Sequence, residues 1–517
     1  MSIQTVDGFE CGTWQGKPLE IEAIEENLTS DGGLLVFSQL DEKLGWTEQF
    51  SEIISDPRRD PLQSTLSIVR QRVFGIVAGY EDQNDHDTLR TDPVFKMIAG
   101  RVPQDMDLAS QPTISRLENS VTAANLLQMQ DWFIERFVDS FTTPPEHITL
   151  DIDTMDDPTH GQQQLAFFHG YYKQDQYLLR YVTCAENDMV VLPQLLFGDA
   201  HAKLGAIDQL HTIITRFHQQ FPDTVIHIRA DSAFGGPEEY ETLESLPNVT
   251  YTIGMKLNPK IQRLSEHHLT EAKAEQQKAQ TSQLRFLSLE EYDSKSWNGP
   301  KTVVVKTEVT AFSSSQRAVI TNVPEAALNP RATYLDYAMR GESENRNKEL
   351  KCDLCADRLS DHRFMANMFR VLLHCMAHNL VVMLRQLVAL TTPLPVVESG
   401  MTPSDAVVVP SDAVVVPSDS STDASDKLSV DAAASNTGSP TRLHDESDAT
   451  RRRRHNARHQ RNRLGEAHPR TWRMLVTKVA ARIIVSARRV RVLLSASWPN
   501  VAYLRRAAVA VANFVPH

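Results

Sequence analysis

The stretch HITLDIDTM, residues 147–155, decides how the middle of this chain folds. Its apolar and polar residues alternate, as they do in a β-strand with one buried face. Two similar runs follow (177–185 and 190–199), then a predicted helix, and then TVIHIRADSAFG (224–235), an apolar strand that ends at Asp231. Three strands, a helix and a parallel-type strand predict an α/β layer. Open sheets of this kind usually build their sites at strand ends, so acids located there are candidate functional residues.

The regions on either side of this layer differ in pattern. Apolar residues at spacings of three and four predict helices before it, and β-branched runs predict a group of strands after it. A tandem PSDAVVV repeat and the block RRRRHNARHQRNR predict disorder nearer the end of the chain. The predicted regions are 1–145 (helical), 146–247 (first part of the core), 248–332 (β-rich insertion), 333–390 (core helices), 391–470 (disordered linker and basic arm) and 471–517 (helical).

Charge and composition limit the class of protein. The chain has 53 basic and 66 acidic residues, and a formal charge of −13 taken alone argues against a nucleic-acid binder. The balance is uneven, however, because sixteen Lys and Arg but only one acid, Glu466, occur from Arg451 onward. The N-terminus lacks the basic start and apolar run of a signal peptide, and five scattered cysteines do not form a disulfide framework. We therefore predict a soluble cytoplasmic protein.

One long apolar segment, residues 364–384, could be mistaken for a membrane span. It contains Arg370, His374 and His378, which favour a buried helix instead, so no membrane contact is predicted. The same histidines, with Cys352 and Cys355, could suggest a zinc site. Only one CxxC pair exists, and no acid lies between the histidines in the H-E-x-x-H manner, so zinc is not predicted.

The segment YLDYAMRGESENRNKELK, residues 334–351, carries the densest pattern of charge. On a regular helix, with about 100° per residue, four of its side chains fall within a wedge of about 60°. These four are Tyr337, Arg340, Glu344 and Lys351. The other two glutamates, Glu342 and Glu349, point away from that face. The pattern fits an acid placed among cations that hold phosphates, and it also fits an ordinary solvated helix face.

Phosphoryl transfer by two metal ions requires carboxylates that converge from separate segments. The candidates are Asp151 or Asp153 on the first strand, Asp231 at the end of a later strand, and Glu344 on the helix. Alternation places Asp151 and Asp153 on one strand face, so spacing does not choose between them. Carboxylate oxygens suit Mg²⁺. Each acid alone is more often a cap or turn residue, and the combination of three segments is what favours a metal site.

Three blocks together resemble the DDE-type transposases of bacterial insertion sequences, most closely the insertion sequence 1380 family. The blocks are LDIDTMDDPTHGQQ (150–163), IRADSAFGGPEEY (228–240) and the pattern Tyr337-x2-Arg340-x3-Glu344-x6-Lys351. Similar strings in the N-terminal region extend the resemblance from about residue 20 to residue 390. The proline-repeat segment and its arginine block depart from the family pattern, which leaves the role of residues 391–470 open.

The resemblance implies an α/β fold with a ribonuclease-H-like catalytic core, a β-rich insertion, and helical N-terminal and C-terminal regions. It implies that Asp153, Asp231 and Glu344 are the catalytic, metal-binding acids with Mg²⁺ or Mn²⁺, Asp151 being the alternative first acid. Tyr337, Arg340 and Lys351 would contact DNA. The implied reaction is cleavage of double-stranded DNA at inverted-repeat ends, followed by 3′-hydroxyl transfer into target DNA, by a homodimer near the nucleoid. The alternative is a catalytically silent DNA-binding protein derived from such an enzyme.

Overall fold

The computed structural model of this protein describes residues 5–390 and 467–516. The predicted linker and basic arm, residues 391–470, therefore lies outside the described residues as far as residue 466. The described parts form one contact unit, which joins the N-terminal segment to the residues after 463.

The N-terminal region is helical after a short β-segment. Its strands are β1 (Thr5–Trp14), β2 (Lys17–Ile24) and β3 (Leu28–Thr29). Its helices are α1 (Leu34–Leu44), α2 (Trp46–Glu52), α3 (Thr65–Ala78), α4 (His86–Leu89), α5 (Pro93–Ile98), α6 (Gln111–Glu118) and α7 (Ala123–Asp139). Local capping sets several of these boundaries: Ser64 accepts the Ser67 N–H at the start of α3, and Thr122 and Asn125 form a capping box at the start of α7. The β1–β2 hairpin was not predicted.

A nine-stranded mixed sheet forms the centre of the molecule. Its strands and associated helices are β4 (His147–Pro158), β5 (Phe167–His169), β6 (Gln174–Cys184), β7 (Val190–Leu196), α8 (Ala206–Gln220), β8 (Val225–Ala230), α9 (Pro237–Ser245), β9 (Val249–Met255), α10 (Pro259–Ala279), β10 (Gln283–Tyr292), β11 (Lys301–Val309) and β12 (Ser314–Thr321). The order is β10-β11-β12-β9-β8-β4-β6-β5, and β7 pairs with β6. β8 is parallel to both β4 and β9, which confirms the predicted parallel strand.

The predicted β-rich insertion is continuous with this sheet. The region begins with β9, which is itself a parallel strand of the core. Strand β12 pairs with β9 from Ala318↔Met255 to Thr321↔Thr252. The strands β10 to β12 therefore lengthen the core sheet at its β9 edge. The polar helix within this region, α10, is 21 residues long and longer than its sequence pattern suggested.

The segment from residue 330 to residue 390 is broken into several helical pieces. They are α11 (Pro330–Ala338), a 3₁₀ turn (Met339–Glu342), α12 (Ser343–Lys348), a π-helical turn (Glu349–Asp353) and α13 (Phe364–Leu390). Helix α13 is long and apolar enough to cross a membrane, but most of it is buried, as predicted. Phe369 of α13 stacks on Phe50 of α2 with ring centroids 6.1 Å apart, which joins the N-terminal helices to the core.

The prediction that residues 471–517 are helical is wrong for part of this region. After α14 (Pro469–Trp472) and a π-helical turn come two strands, β13 (Ala481–Ser486) and β14 (Arg489–Leu494), and only then a helix, α15 (Val501–Asn513). The β-branched run Ile483, Ile484 and Val485 suits a strand, and β13 gains a partner in β3 from the other end of the chain. The predicted end of the linker at residue 470 is also too late, because Pro469 is already buried.

The two ends of the chain are joined by further contacts. Lys43 of α1 donates hydrogen bonds to the carbonyls of Val511 and Ala512, at 2.7 and 2.9 Å. Trp472 is buried and meets the ring of Phe37 edge-on at 6.1 Å. The segment after residue 466 is therefore part of the N-terminal helical core.

Candidate active site

Two of the predicted acids lie side by side across the parallel pair β4–β8. Ile152 pairs with Ala230, so the residues that follow them, Asp153 and Asp231, lie at the same level. Adjacent strands are about 4.8 Å apart, which places the two acids next to each other. Asp231 Oδ1 accepts the Ala233 N–H at 2.7 Å, which fixes this carboxylate at the turn after β8.

Asp153 is held by cationic and amide groups from the segment after α11. Arg340 Nη1 lies 3.2 Å from Asp153 Oδ2, and Asn347 Nδ2 lies 3.3 Å from the same oxygen. Burial raises the pKa of Asp153 to about 6; Arg340 opposes this shift, and the negative charges of Asp231 and Glu344 add to it. The three predicted acids therefore share one electrostatic environment, with Arg340 as their counter-ion.

Tyr337 lies over the third strand of this parallel set. Gly254 of β9 follows Ile253, which pairs with Ala230, so Gly254 is level with Asp231. A Cβ at Gly254 would be 2.7 Å from the Tyr337 hydroxyl oxygen. Burial raises the pKa of Tyr337, and the positive charge of Arg340, together with its hydrogen bond, opposes that shift. Glycine thus allows the tyrosine ring to approach the strand ends beside Asp231.

Glu344 is less enclosed than the two aspartates. It is exposed on α12, and no described residue hydrogen-bonds its carboxylate. Glu349 lies elsewhere, as predicted: it is buried and binds His378 at 3.0 Å and Arg385 at 2.9 Å. The regular helix assumed for the wedge is wrong, because a 3₁₀ turn precedes Glu344 and a π-helical turn follows it. Arg340 nevertheless faces Asp153, and Glu344 remains near enough to affect the pKa of Asp153.

Lys351 lies beside a second group of acids at the end of β4. Its Nζ donates to Asp156 at the main-chain oxygen (3.0 Å) and at Oδ1 (3.2 Å). Asp157 is buried, and neither of its carboxylate oxygens has a hydrogen-bond partner among the described residues. Burial and the nearby charge of Asp357 raise the pKa of Asp157 to about 9, although Lys351 opposes the shift. At neutral pH Asp157 is therefore protonated.

The alternative first acid, Asp151, has a different environment. It is buried, and both of its carboxylate oxygens bind the guanidinium of Arg229, at 2.7 and 2.8 Å. Arg229 is also its register partner on β8. A carboxylate saturated in this way has little capacity left for a metal ion.

The side chains of the site fit a metal ion only in part. Among residues 5–390 and 467–516, no three His, Cys, Asp or Glu side chains are close enough together to hold a metal ion as they stand. The guanidinium of Arg340 occupies the cationic position beside Asp153. The oxygen chemistry nevertheless suits a hard divalent ion, because acids from β4, from the end of β8 and from α12 act on one another in the same site.

Several residues of this site were not identified from the sequence. They are Asn347, which binds Asp153; Gly254, which admits Tyr337; Arg229, which saturates Asp151; and Asp156, which binds Lys351. Asp156 could have been identified from the sequence, because it and Asp157 belong to β4, the strand that also carries the predicted first acid. Nothing local in the sequence distinguishes Gly254 or Asn347.

Comparison with known proteins adds one clear match. Residues 12–399 match the family model described as transposase DDE domain group 1. No curated protein matches the sequence. Among solved structures, a piggyBac transposase in a synaptic complex with hairpin DNA, determined by cryo-electron microscopy, is 13% identical. That similarity covers 68% of this chain and 74% of the other, with a TM-score of 0.35.

Proposed function

The chain belongs to the transposase DDE domain group 1 family and is a DDE-type transposase, and from this we propose how it acts on DNA. It cleaves double-stranded DNA at the inverted-repeat ends of its transposon and transfers the freed 3′-hydroxyl into target DNA. The observation that carries the proposal is the shared environment of Asp153, Asp231 and Glu344: burial raises the pKa of Asp153 to about 6, and the negative charges of Asp231 and Glu344 add to that shift.

Asp153, Asp231 and Glu344 would hold the divalent ions, which we propose to be Mg²⁺ or Mn²⁺. When bound, such ions activate the attacking oxygen and stabilise the leaving oxygen of the phosphodiester. Asp151 is not proposed as a ligand, because Arg229 binds both of its oxygens. Of the two candidate first acids, this favours Asp153.

Tyr337, Arg340 and Lys351 are proposed to contact phosphates near the cleaved bond. Arg340 pairs with Asp153, and Lys351 pairs with Asp156. The Arg340 guanidinium can bind a phosphate through two N–H groups, so it would contact the DNA backbone beside the acids that would hold the ions.

The finer assignments rest on the sequence motifs. We propose membership of the insertion sequence 1380 family, a ribonuclease-H-like core in residues 146–247 and 333–390, and recognition of the inverted repeats by the N-terminal helical region. A location at the nucleoid and a homodimer that holds two transposon ends complete the proposal. The mixed sheet with parallel β4, β8 and β9 is compatible with such a core.

The test is cleavage of labelled DNA carrying the transposon ends, with and without Mg²⁺. We expect magnesium-dependent nicks at the inverted repeats and joined products with target DNA. The alternative, a silent DNA-binding protein, has some support in the exposure of Glu344 and in the absence, among described residues, of a ready three-acid cluster. Repeat-specific binding without cleavage at any divalent ion concentration would establish that alternative.

A further inference from the structure

The β1–β2 hairpin stands apart from the rest of the sheet structure. It forms a two-stranded sheet of its own, and every residue of β2 is exposed. Alternation places Glu20 and Glu22 on one face of β2, and Leu19 and Ile21 on the other. Both of those apolar residues are 43% exposed. Because isolated two-stranded hairpins are at best marginally stable in water, this hairpin requires a partner that covers it.

Strand β14 presents the opposite pattern at an open edge. The order of its sheet is β14-β13-β3, so among the described strands β14 is an end strand with one unpaired side. Arg489 and Arg491 share one face of β14, and Val490 and Val492 share the other, where they are 48% and 36% exposed. Within the described parts of the chain, neither arginine forms an ion pair, and the same holds for Glu20 and Glu22.

The two strands match each other in spacing and chemistry. Each has two like charges two residues apart, of opposite sign in the two strands, and aliphatic residues at the alternate positions. We propose that β2 of one copy adds to the open edge of β14 in a second copy, with Glu20 and Glu22 opposite Arg489 and Arg491. Such pairing would satisfy main-chain groups along both edges and join the aliphatic faces.

Strand β2 of a second copy can reach this edge more easily than β2 of the same chain. Strand β3 follows β2 after a short connection from Ile24 to Leu28 and pairs with β13 on the side opposite β14. Four residues reach at most about 14 Å when fully extended. A strand added at the open side of β14 would lie about three strand spacings of about 4.8 Å from β3, which takes up the whole of that reach. The chain would also have to pass around the sheet, so β2 of the same molecule is too short-tethered to pair there.

The exchange is reciprocal, because each copy offers both a β2 and a β14. It therefore gives a closed two-fold dimer with two equivalent strand additions. This pairing supplies an interface for the homodimer of the proposed function. Its purpose, the holding of two transposon ends, rests on that proposed function. The hairpin itself is unsuited to DNA, since its charged face is acidic.

The experiment measures the mass of the full-length protein by light scattering over a range of concentrations, without DNA or metal. We expect a dimer for the wild type. Glu20→Arg/Glu22→Arg and, separately, Arg489→Glu/Arg491→Glu should each raise the dimer dissociation constant about tenfold or more, because like charges then face each other. The combined four-residue exchange should restore the dimer.

A matched control is Glu266→Arg/Glu290→Arg, which makes the same charge change on exposed residues of α10 and β10 and should leave the mass unchanged. Circular dichroism on every variant checks that it is folded. A monomeric wild type, unaltered mass in both reversals, or failure of the combined exchange to restore the dimer would overturn the proposal. So would a monomeric protein whose DNA affinity falls in Arg489→Glu/Arg491→Glu, since those arginines would then bind DNA.

The outcome is separable from that of the proposed function. A dimer with the expected charge dependence that fails to cleave transposon ends supports the interface and counts against catalysis. A monomer that cleaves those ends counts against the interface and supports catalysis.

Discussion

Arg229 lies directly across the β4–β8 strand pair from Asp151 and binds both of its carboxylate oxygens, at 2.7 and 2.8 Å. Removal of one partner of a buried ion pair leaves the other charge uncompensated, which costs about 3–5 kcal/mol. We expect Asp151→Ala to lower the free energy of unfolding in urea by that amount. A stable Asp151→Ala protein that has lost cleavage would instead make Asp151 the first metal ligand.

Asp153→Asn should have the opposite effect on stability in the absence of metal. The pKa of Asp153 is about 6 in the folded protein, against an ordinary 3.8, so the folded state binds the proton more tightly. Wild-type stability should therefore fall as pH rises between those values, by on the order of 1–3 kcal/mol. Asp153→Asn should lack this fall and be the more stable protein at pH 7.5 in calorimetry.

The same variant tests metal binding. Mg²⁺ should raise the melting temperature of the wild type at pH 7.5, because it binds the folded state through ionised carboxylates. The increase should be smaller at pH 5, where Asp153 holds a proton in the free protein, and absent in Asp153→Asn. An equal increase in both proteins would place the metal elsewhere.

Glu344→Gln and Glu342→Gln form a matched pair on one short segment. Only Glu344 contributes to the raised pKa of Asp153, whereas the charge of Glu342 acts on Arg346. We expect Glu344→Gln to reduce end cleavage by at least about a thousandfold with DNA binding retained, as for loss of an essential group. Glu342→Gln should cleave at nearly the wild-type rate, and equal losses in both would refute the assignment of Glu344.

Gly254→Ala tests the approach of Tyr337 to the strand ends. The added methyl group would lie 2.7 Å from the tyrosine oxygen and 2.9 Å from the Ser232 nitrogen. Overpacking of this kind costs about 1–3 kcal/mol, and cleavage should fall as the tyrosine is displaced. Gly170→Ala, which meets no atom within 4 Å, is the control for unfolding and cleavage measurements. Adding Tyr337→Phe should recover part of the lost stability.

The sequence predicted the central layer because alternation and chain order are local properties. HITLDIDTM and TVIHIRADSAFG each identify a strand, and the helix that precedes the second strand favours a crossover connection with the two strands parallel. From that alone either Asp151 or Asp153 was expected near Asp231 at the strand ends. The family resemblance implied Asp153, and the strand register places Asp153 level with Asp231.

Other features depended on contacts between distant residues. The choice between Asp151 and Asp153 required the position of Arg229, 78 residues along the chain from Asp151. The strand β13 owes its pairing to Leu28 and Thr29, and the alternation of Arg and Val in β14 resembles a charged helix face when read locally. The 3₁₀ and π-helical turns around Glu344 likewise depend on packing. A helical wheel with a constant angle per residue therefore cannot predict which side chains share a face with Glu344.

Because Lys43 donates hydrogen bonds to Val511 and Ala512, we expect the molecule to tolerate a break in its chain. The pieces before residue 391 and after residue 466 share one hydrophobic core, which should hold them together without the peptide bonds between them. Two separately expressed polypeptides divided within that interval should find each other and assemble, as complementing fragments do. The transposase could thus be supplied as a split enzyme whose activity requires both halves.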